Sequence, residues 1–154
     1  MRRLDAELAE SPVFRGLTGT QLELIAGCGQ NTGFEAGDYL FREGGQADTF
    51  YLLRHGRVQL EIFAPGRGAV TIQTVDDGDV VGWSWLFPPY RWHFDARALD
   101  SVRAVAFDGA CLRRKCEEDH SLGFELLGRF SPVMLERLQA TRMQLLDVYG
   151  NGGR

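Results

Sequence analysis

At 154 residues, 44% apolar and 25% charged, the chain is long enough for one well-formed core and too short for two ordinary domains. A net charge of −4 argues against a protein whose main task is to hold nucleic acid, because such a surface lacks the excess cations that displace condensed counterions. No long apolar run follows Arg2-Arg3, so neither a signal peptide nor a membrane span is expected, and the chain reads as cytoplasmic.

Residues 1–30 read as N-terminal helices. Thr18 stands as an N-cap, Leu22, Leu24 and Ile25 form an apolar stripe, and Gly27 and Gly29 break it. Residues 31–108 change texture: short runs rich in Val, Ile, Phe and Tyr are separated by Gly-Asp, Gly-Gly, His-Gly and Pro-Gly turn signals, the pattern of an all-β unit. The clearest strands are Thr49 to Leu53, Val58 to Phe63, Val70 to Val75, Ala96 to Leu99 and Val102 to Phe107. Alternation of Val58, Leu60 and Ile62 against Gln59 and Glu61 turns the first set inward. Residues 109–149 revert to helix, across Ala110 to Glu118 and then His120 to Phe130, with Asp119 a cap between them. Ser131-Pro132 looks like an N-cap with proline at the first helical position, opening a last helix over 132–149 that stops at Gly150, with 151–154 a flexible tail. The fold class expected is α+β, one domain over 1–150: an antiparallel β-roll flanked by N-terminal and C-terminal helices. In the last helix Met134, Leu138, Thr141, Leu145 and Val148 follow heptad spacing, a seam that points to a homodimer, against the alternative that this face packs on the domain's own roll.

Gly37-Asp38, Phe41, Glu43-Gly44, Ala47-Asp48, Phe50-Tyr51-Leu52, Gly56 and Val58, followed by Gly78-Asp79-Val80-Val81-Gly82 and Ala96-Arg97-Ala98-Leu99, resemble cyclic-nucleotide-binding domains in order and spacing. Arg137-Leu138-Gln139-Ala140-Thr141 is similar to the dimer helix of the catabolite activator family. Phe50 and Leu52 are expected to fill one face of their strand, Tyr51 and Leu53 the other. The resemblance implies a regulatory sensor with a cyclic nucleotide as ligand. The family's helix-turn-helix would follow the last helix, where only a few residues remain, so direct DNA binding is not expected. Lys115 is the only lysine among 17 lysines and arginines, which points to a high-GC bacterial genome.

In that family the cyclic phosphate sits just after the equivalent of Gly82, against backbone N–H groups of a short helix; a glutamate follows the glycine, and an arginine some ten residues on meets the phosphate. Here Trp83 takes the glutamate's place, and Trp92 or His93 falls where the arginine belongs, with Arg91 one or two places out of register. The candidate ligand-binding residues are therefore Gly82, Trp83, Ser84, Arg91, Trp92 and His93, with Thr141 and Arg142 on the last helix, where the family touches the nucleobase. The aromatic cluster from Trp83 to Phe94 either fills the site, lines an apolar pocket or docks another protein. The Trp-Ser-Trp-Leu-Phe-Pro-Pro stretch looks similar to short proteins of bacterial redox and hydrogenase gene clusters, which makes a redox or hydrogenase-type complex the partner that this likeness implies.

Catalysis is not expected. A metal-dependent cupin-type enzyme needs converging histidines, and His55, His93 and His120 are scattered with no H-x-H pair. Haem, with His55 or His93 as axial ligand, lacks a second ligand, so neither a metal nor a resident cofactor is expected. Cys28, Cys111 and Cys116 have no C-x-x-C spacing and read as reduced thiols. Arg113-Arg114-Lys115, followed by Glu117, Glu118 and Asp119, reads as a solvated helix face. The functional expectation is a stand-alone regulatory or protein-interaction module with a degenerate phosphate cassette. The alternative is a true cAMP or cGMP receptor using Arg91 and Thr141.

Overall fold

The computed structural model describes residues 3–152, with side chains through residue 147; Val148 of the expected seam and residues 153–154 of the expected tail lie outside what it describes at that level. Two short helices, α1 (Leu4–Leu8) and α2 (Gly19–Ala26), lead in. A reciprocal capping box starts α2: the Gln21 backbone N–H donates to Thr18 Oγ1 at 3.1 Å, and the Thr18 N–H donates to Gln21 Oε1 at 3.0 Å.

Eight strands follow: β1 (Gly29–Phe34), β2 (Tyr39–Phe41), β3 (Thr49–His55), β4 (Val58–Ala64), β5 (Gly68–Val75), β6 (Val80–Val81), β7 (Asp95–Ala98) and β8 (Val102–Asp108). They form two antiparallel four-stranded sheets, ordered β1-β8-β3-β6 and β2-β7-β4-β5. The first sheet is covered on both sides. Phe50, Leu52, Val105 and Phe107 face a core shared with the helices, while Leu53, Val102 and Ala104 face the roll interior with Val58, Leu60 and Ala96. Double burial explains why β3 and β8 read as nearly continuous apolar runs, and Phe50 and Leu52 do part from Tyr51 and Leu53 as the alternation requires.

The β4 alternation holds only in part. Its register against β5 shifts between Leu60 and Glu61. The irregularity leaves Glu61 buried, where its carboxylate accepts from Arg97 Nε at 2.9 Å.

Helix α3 (Gly109–Glu118) is capped by Asp108, whose Oδ1 accepts from the Cys111 N–H at 3.0 Å. Arg113 and Lys115 do not form the solvated face expected of them. The Arg113 guanidinium donates to the Trp85 carbonyl and lies 4.0 Å over the Tyr90 ring, and Lys115 Nζ donates to the Leu24 carbonyl at 2.6 Å.

A second correction concerns the last helix. It does not start at Ser131-Pro132; α4 runs unbroken from His120 to Gly152 with Pro132 inside it, and so takes in Asn151 and Gly152 of the expected tail. Asp119 caps it, accepting from the Leu122 N–H at 3.2 Å. Leu122, Leu126 and Phe130 are fully buried just before the proline, so packing of the first half outweighs the one lost hydrogen bond. The Ser131 hydroxyl turns back onto the Leu127 carbonyl instead of capping forward.

The cysteine expectation is also overturned. Cys28 and Cys111 form a disulfide with Cα atoms 5.8 Å apart, leaving Cys116 as the free thiol. The fold brings residues 83 positions apart together at the start of α3, a proximity that sequence spacing does not reveal.

Candidate functional site

The connection from β6 to β7, residues 82–94, carries the chain from one sheet to the other and holds the whole aromatic cluster. Ahead of β6, Gly78 N donates to the Leu53 carbonyl at 2.8 Å and Leu53 N donates to the Asp79 carbonyl at 2.9 Å, pinning the β5–β6 turn to β3. Gly82 then adopts φ +99°, and a Cβ there would lie 2.8 Å from Trp92 Cζ3 and Cη2. Both the backbone angle and the indole demand glycine.

Trp92 is the ring beside Gly82. It is 5% exposed and stacks on Phe41 with centroids 3.7 Å apart at 9°. Its backbone is held as in a strand: Trp92 N donates to the Gly45 carbonyl at 2.9 Å, and Gly44 N donates to the Trp92 carbonyl at 2.9 Å. In such an extended segment side chains alternate, so Trp92 and Phe94 go in while Arg91 and His93 are exposed. Arg91 pairs across with Gln46, and its Nη1 reaches the Gly44 carbonyl at 3.4 Å, away from Gly82. Beside Trp92 remains a cavity of about 340 Å³ lined by Leu40, Phe41, Gly45, Gln46 and Tyr51 among others.

Trp83 bridges the two cores. Its ring lies 5.1 Å from that of Phe94, and the Arg137 guanidinium carbon is 5.9 Å from its centroid. Ser84 opens a single 3-10 turn, Ser84–Leu86; it is buried, and its hydroxyl has no hydrogen-bond partner. Trp85, also in that turn, faces the opposite core, stacked on Phe50 at 4.7 Å and edge-on to Phe130 at 5.5 Å.

From α4 comes a residue that the sequence carried in the dimer-helix resemblance but that was not among the candidate ligand-binding residues. Arg137 is 4% exposed; its Nη2 donates to the Val80 carbonyl at 2.6 Å, but Nε and Nη1 have no partner. Burial pulls its pKa down to about 10, with the nearby Asp79 and Glu136 carboxylates pulling the other way. It stays charged at neutral pH, a buried cation short of acceptors beside Trp83. An arginine in an apolar helix position was the available signal. Thr141, one turn on, spends its hydroxyl on the Arg137 carbonyl at 2.7 Å, and Arg142 is exposed. Arg142 lines an apolar groove on α4 with Leu138, Thr141, Leu145 and Leu146.

The expected seam is partly uncovered: Leu138 is 66% exposed, while Met134, Thr141 and Leu145 are half-buried. Because α4 starts earlier than expected, Phe124, Leu127 and Leu135 extend exposed apolar surface along it. Among the described residues no three His, Cys, Asp or Glu side chains gather as a metal site, and no helix is long and apolar enough to cross a membrane.

A two-sheet roll with a glycine-led crossover and a long helix lying against it is an architecture in which a binding domain can be recognised. The cyclic nucleotide-binding domain profile matches residues 32–119, more than half of the chain. The chain belongs to that family. It is similar to the CRP-like cAMP-activated global transcriptional regulator of Mycobacterium tuberculosis, 26% identical over 145 residues, covering 94% of this chain and 63% of the relative. It is also similar to the anaerobic regulatory protein of Bacillus subtilis, 23% identical over 99% of this chain and 60% of that one. The chain thus spans less than two thirds of either relative. A putative cyclic nucleotide-binding protein from Geobacter metallireducens superposes with a TM-score of 0.78 at 33% identity, over 90% of this chain and 99% of that one.

Proposed function

We propose that the domain is a regulatory module that acts by binding and by repacking of α4, without catalysis, and that it does not take a cyclic nucleotide in its family's usual mode. The observation that carries this reading is Trp92 laid against Gly82 and stacked on Phe41, with Arg91 turned outward. Losing one half of a buried charge pair typically costs about 2–5 kcal/mol, which takes micromolar affinity to the order of millimolar. Calorimetric titration with cAMP and with cGMP is expected to give no saturable heat at micromolar concentrations; saturable heat there overturns the reading.

The apolar groove on α4 supports a second copy as partner, with Leu138 and Leu145 at the seam. Light scattering at tens of micromolar is expected to report a dimer, and a monomer removes this part.

A nucleotide reading is favoured by one feature, the two unpaired nitrogens of Arg137. The version built on Arg91 and Thr141 has less support, since Arg91 faces the Gly44 carbonyl and the Thr141 hydroxyl is engaged within its own helix. If cyclic nucleotide does bind, Arg137→Gln is expected to abolish it and Arg91→Gln to leave it intact.

A further inference from the structure

The Cys28–Cys111 disulfide sits where the end of α2, the first residue of β1 and the first turn of α3 meet. Cys28, itself only 7% exposed, lines an open cavity of about 460 Å³ together with Gln30, Asp48, Thr49, Asp108 and Ala110, and that cavity is the side from which a small reagent would approach it. Cys111 lies in the first turn of the ten-residue α3, where the helix dipole favours a thiolate and the capping Asp108 carboxylate, accepting from the Cys111 N–H at 3.0 Å, opposes it.

We propose that this disulfide is a site of reversible thiol–disulfide exchange with an uncharged or cationic dithiol, and that its state sets how firmly α3 is held to the N-terminal helices. A thiolate of the dithiol attacks Sγ of Cys28; the protein's S–S bond breaks, and Cys111 leaves as thiolate and takes up a proton. The second thiolate of the reagent then attacks the mixed disulfide at the reagent's own sulfur, releasing Cys28, which is protonated in turn. Two electrons pass from the dithiol to the protein; the reagent ends as an internal disulfide. Asp48 and Asp108 at the cavity mouth repel an anionic thiol, which selects the class of reductant. Apart from the disulfide, α3 is tied at its start by Gly109 N donating to the Asp48 carbonyl at 2.8 Å and further on by Lys115 to Leu24. A single residue, Asp119, separates α3 from α4, so loosening of α3 passes directly to the long helix.

The test uses the full chain purified without reductant. Native protein is exposed to dithiothreitol, alkylated and mapped by mass spectrometry, and hydrogen exchange is followed over residues 109–118. Cys28 and Cys111 are expected to resist alkylation before reduction and to react after it, faster with uncharged dithiothreitol than with the same concentration of the anionic dithiol dihydrolipoate. Exchange in α3 is expected to rise about tenfold or more on reduction. Cys28→Ser is expected to show the fast exchange with or without dithiothreitol, and Cys116→Ser to respond as the unaltered chain does. The proposal is overturned if Cys28 and Cys111 are alkylated without reduction, if the bond yields only in denaturant, if dihydrolipoate acts as fast as dithiothreitol, or if α3 exchanges equally in both states. The measurements on the unaltered chain stand even where a variant fails to fold.

Discussion

Beside Gly82 the interior of the roll is packed with rings laid on one another, whereas Phe124, Leu127, Leu135 and Leu138 on α4 stand exposed among the described residues. The stacked rings leave beside Trp92 a cavity of about 340 Å³. Large apolar side chains left uncovered along a helix mark a surface for another macromolecule.

The largest expected effect comes from removing the ring at the closed end. Trp92→Ala deletes a buried indole stacked on Phe41 and is expected to cost about 3–5 kcal/mol in urea unfolding; a cost below 1 kcal/mol would mean that the ring merely rests there. At the open end, Leu138→Asp puts a charge into each half of the proposed seam and is expected to weaken self-association about 100-fold by sedimentation equilibrium, with the fold intact by circular dichroism. Gly82→Ala is expected to cost about 2 kcal/mol, and about 1 kcal/mol less in the Trp92→Ala background, where the overlap is gone but the positive φ remains. The same cost in both backgrounds would show that the indole and the glycine are not coupled.

The smallest effect is a pH dependence at the junction between the two regions. Partial burial raises the Asp79 pKa above 3.8, Arg137 pulls it down, and Glu136 and Asp76 push it up again. With the folded value above the unfolded one, the folded state binds the proton first. Its contribution to stability is present below pH 3.8 and is lost as pH rises through the folded value. Asp79→Asn is expected to flatten that segment of the stability profile; an unchanged profile would remove Asp79 as its source.

Much of the roll was legible because its signals are local. Turn glycines and strand runs marked β3, β4, β5, β7 and β8, and strict alternation separated Phe50 and Leu52 from Tyr51 and Leu53. Alternation also bears on the cassette: once Trp92 points inward, Arg91 and His93 must point out. What was illegible depends on contacts distant in sequence. Ser131-Pro132 has the local chemistry of a helix start, and only the burial of Leu122, Leu126 and Phe130 shows why the helix runs through it. A register shift put Glu61 inside with Arg97. The Cys28–Cys111 pair and the Val80–Arg137 hydrogen bond join segments that meet only once the sheets have formed.

Pro132 divides α4 unequally. Ahead of it, three fully buried side chains clamp the helix to the body of the domain; beyond it, Arg137 is the one fully buried anchor among the described side chains. The distal arm is thus tied down more sparsely than the proximal half, by the Arg137–Val80 hydrogen bond, by Gln73 Nε2 donating to Glu136 at 2.6 Å and by Ala140 against the roll core.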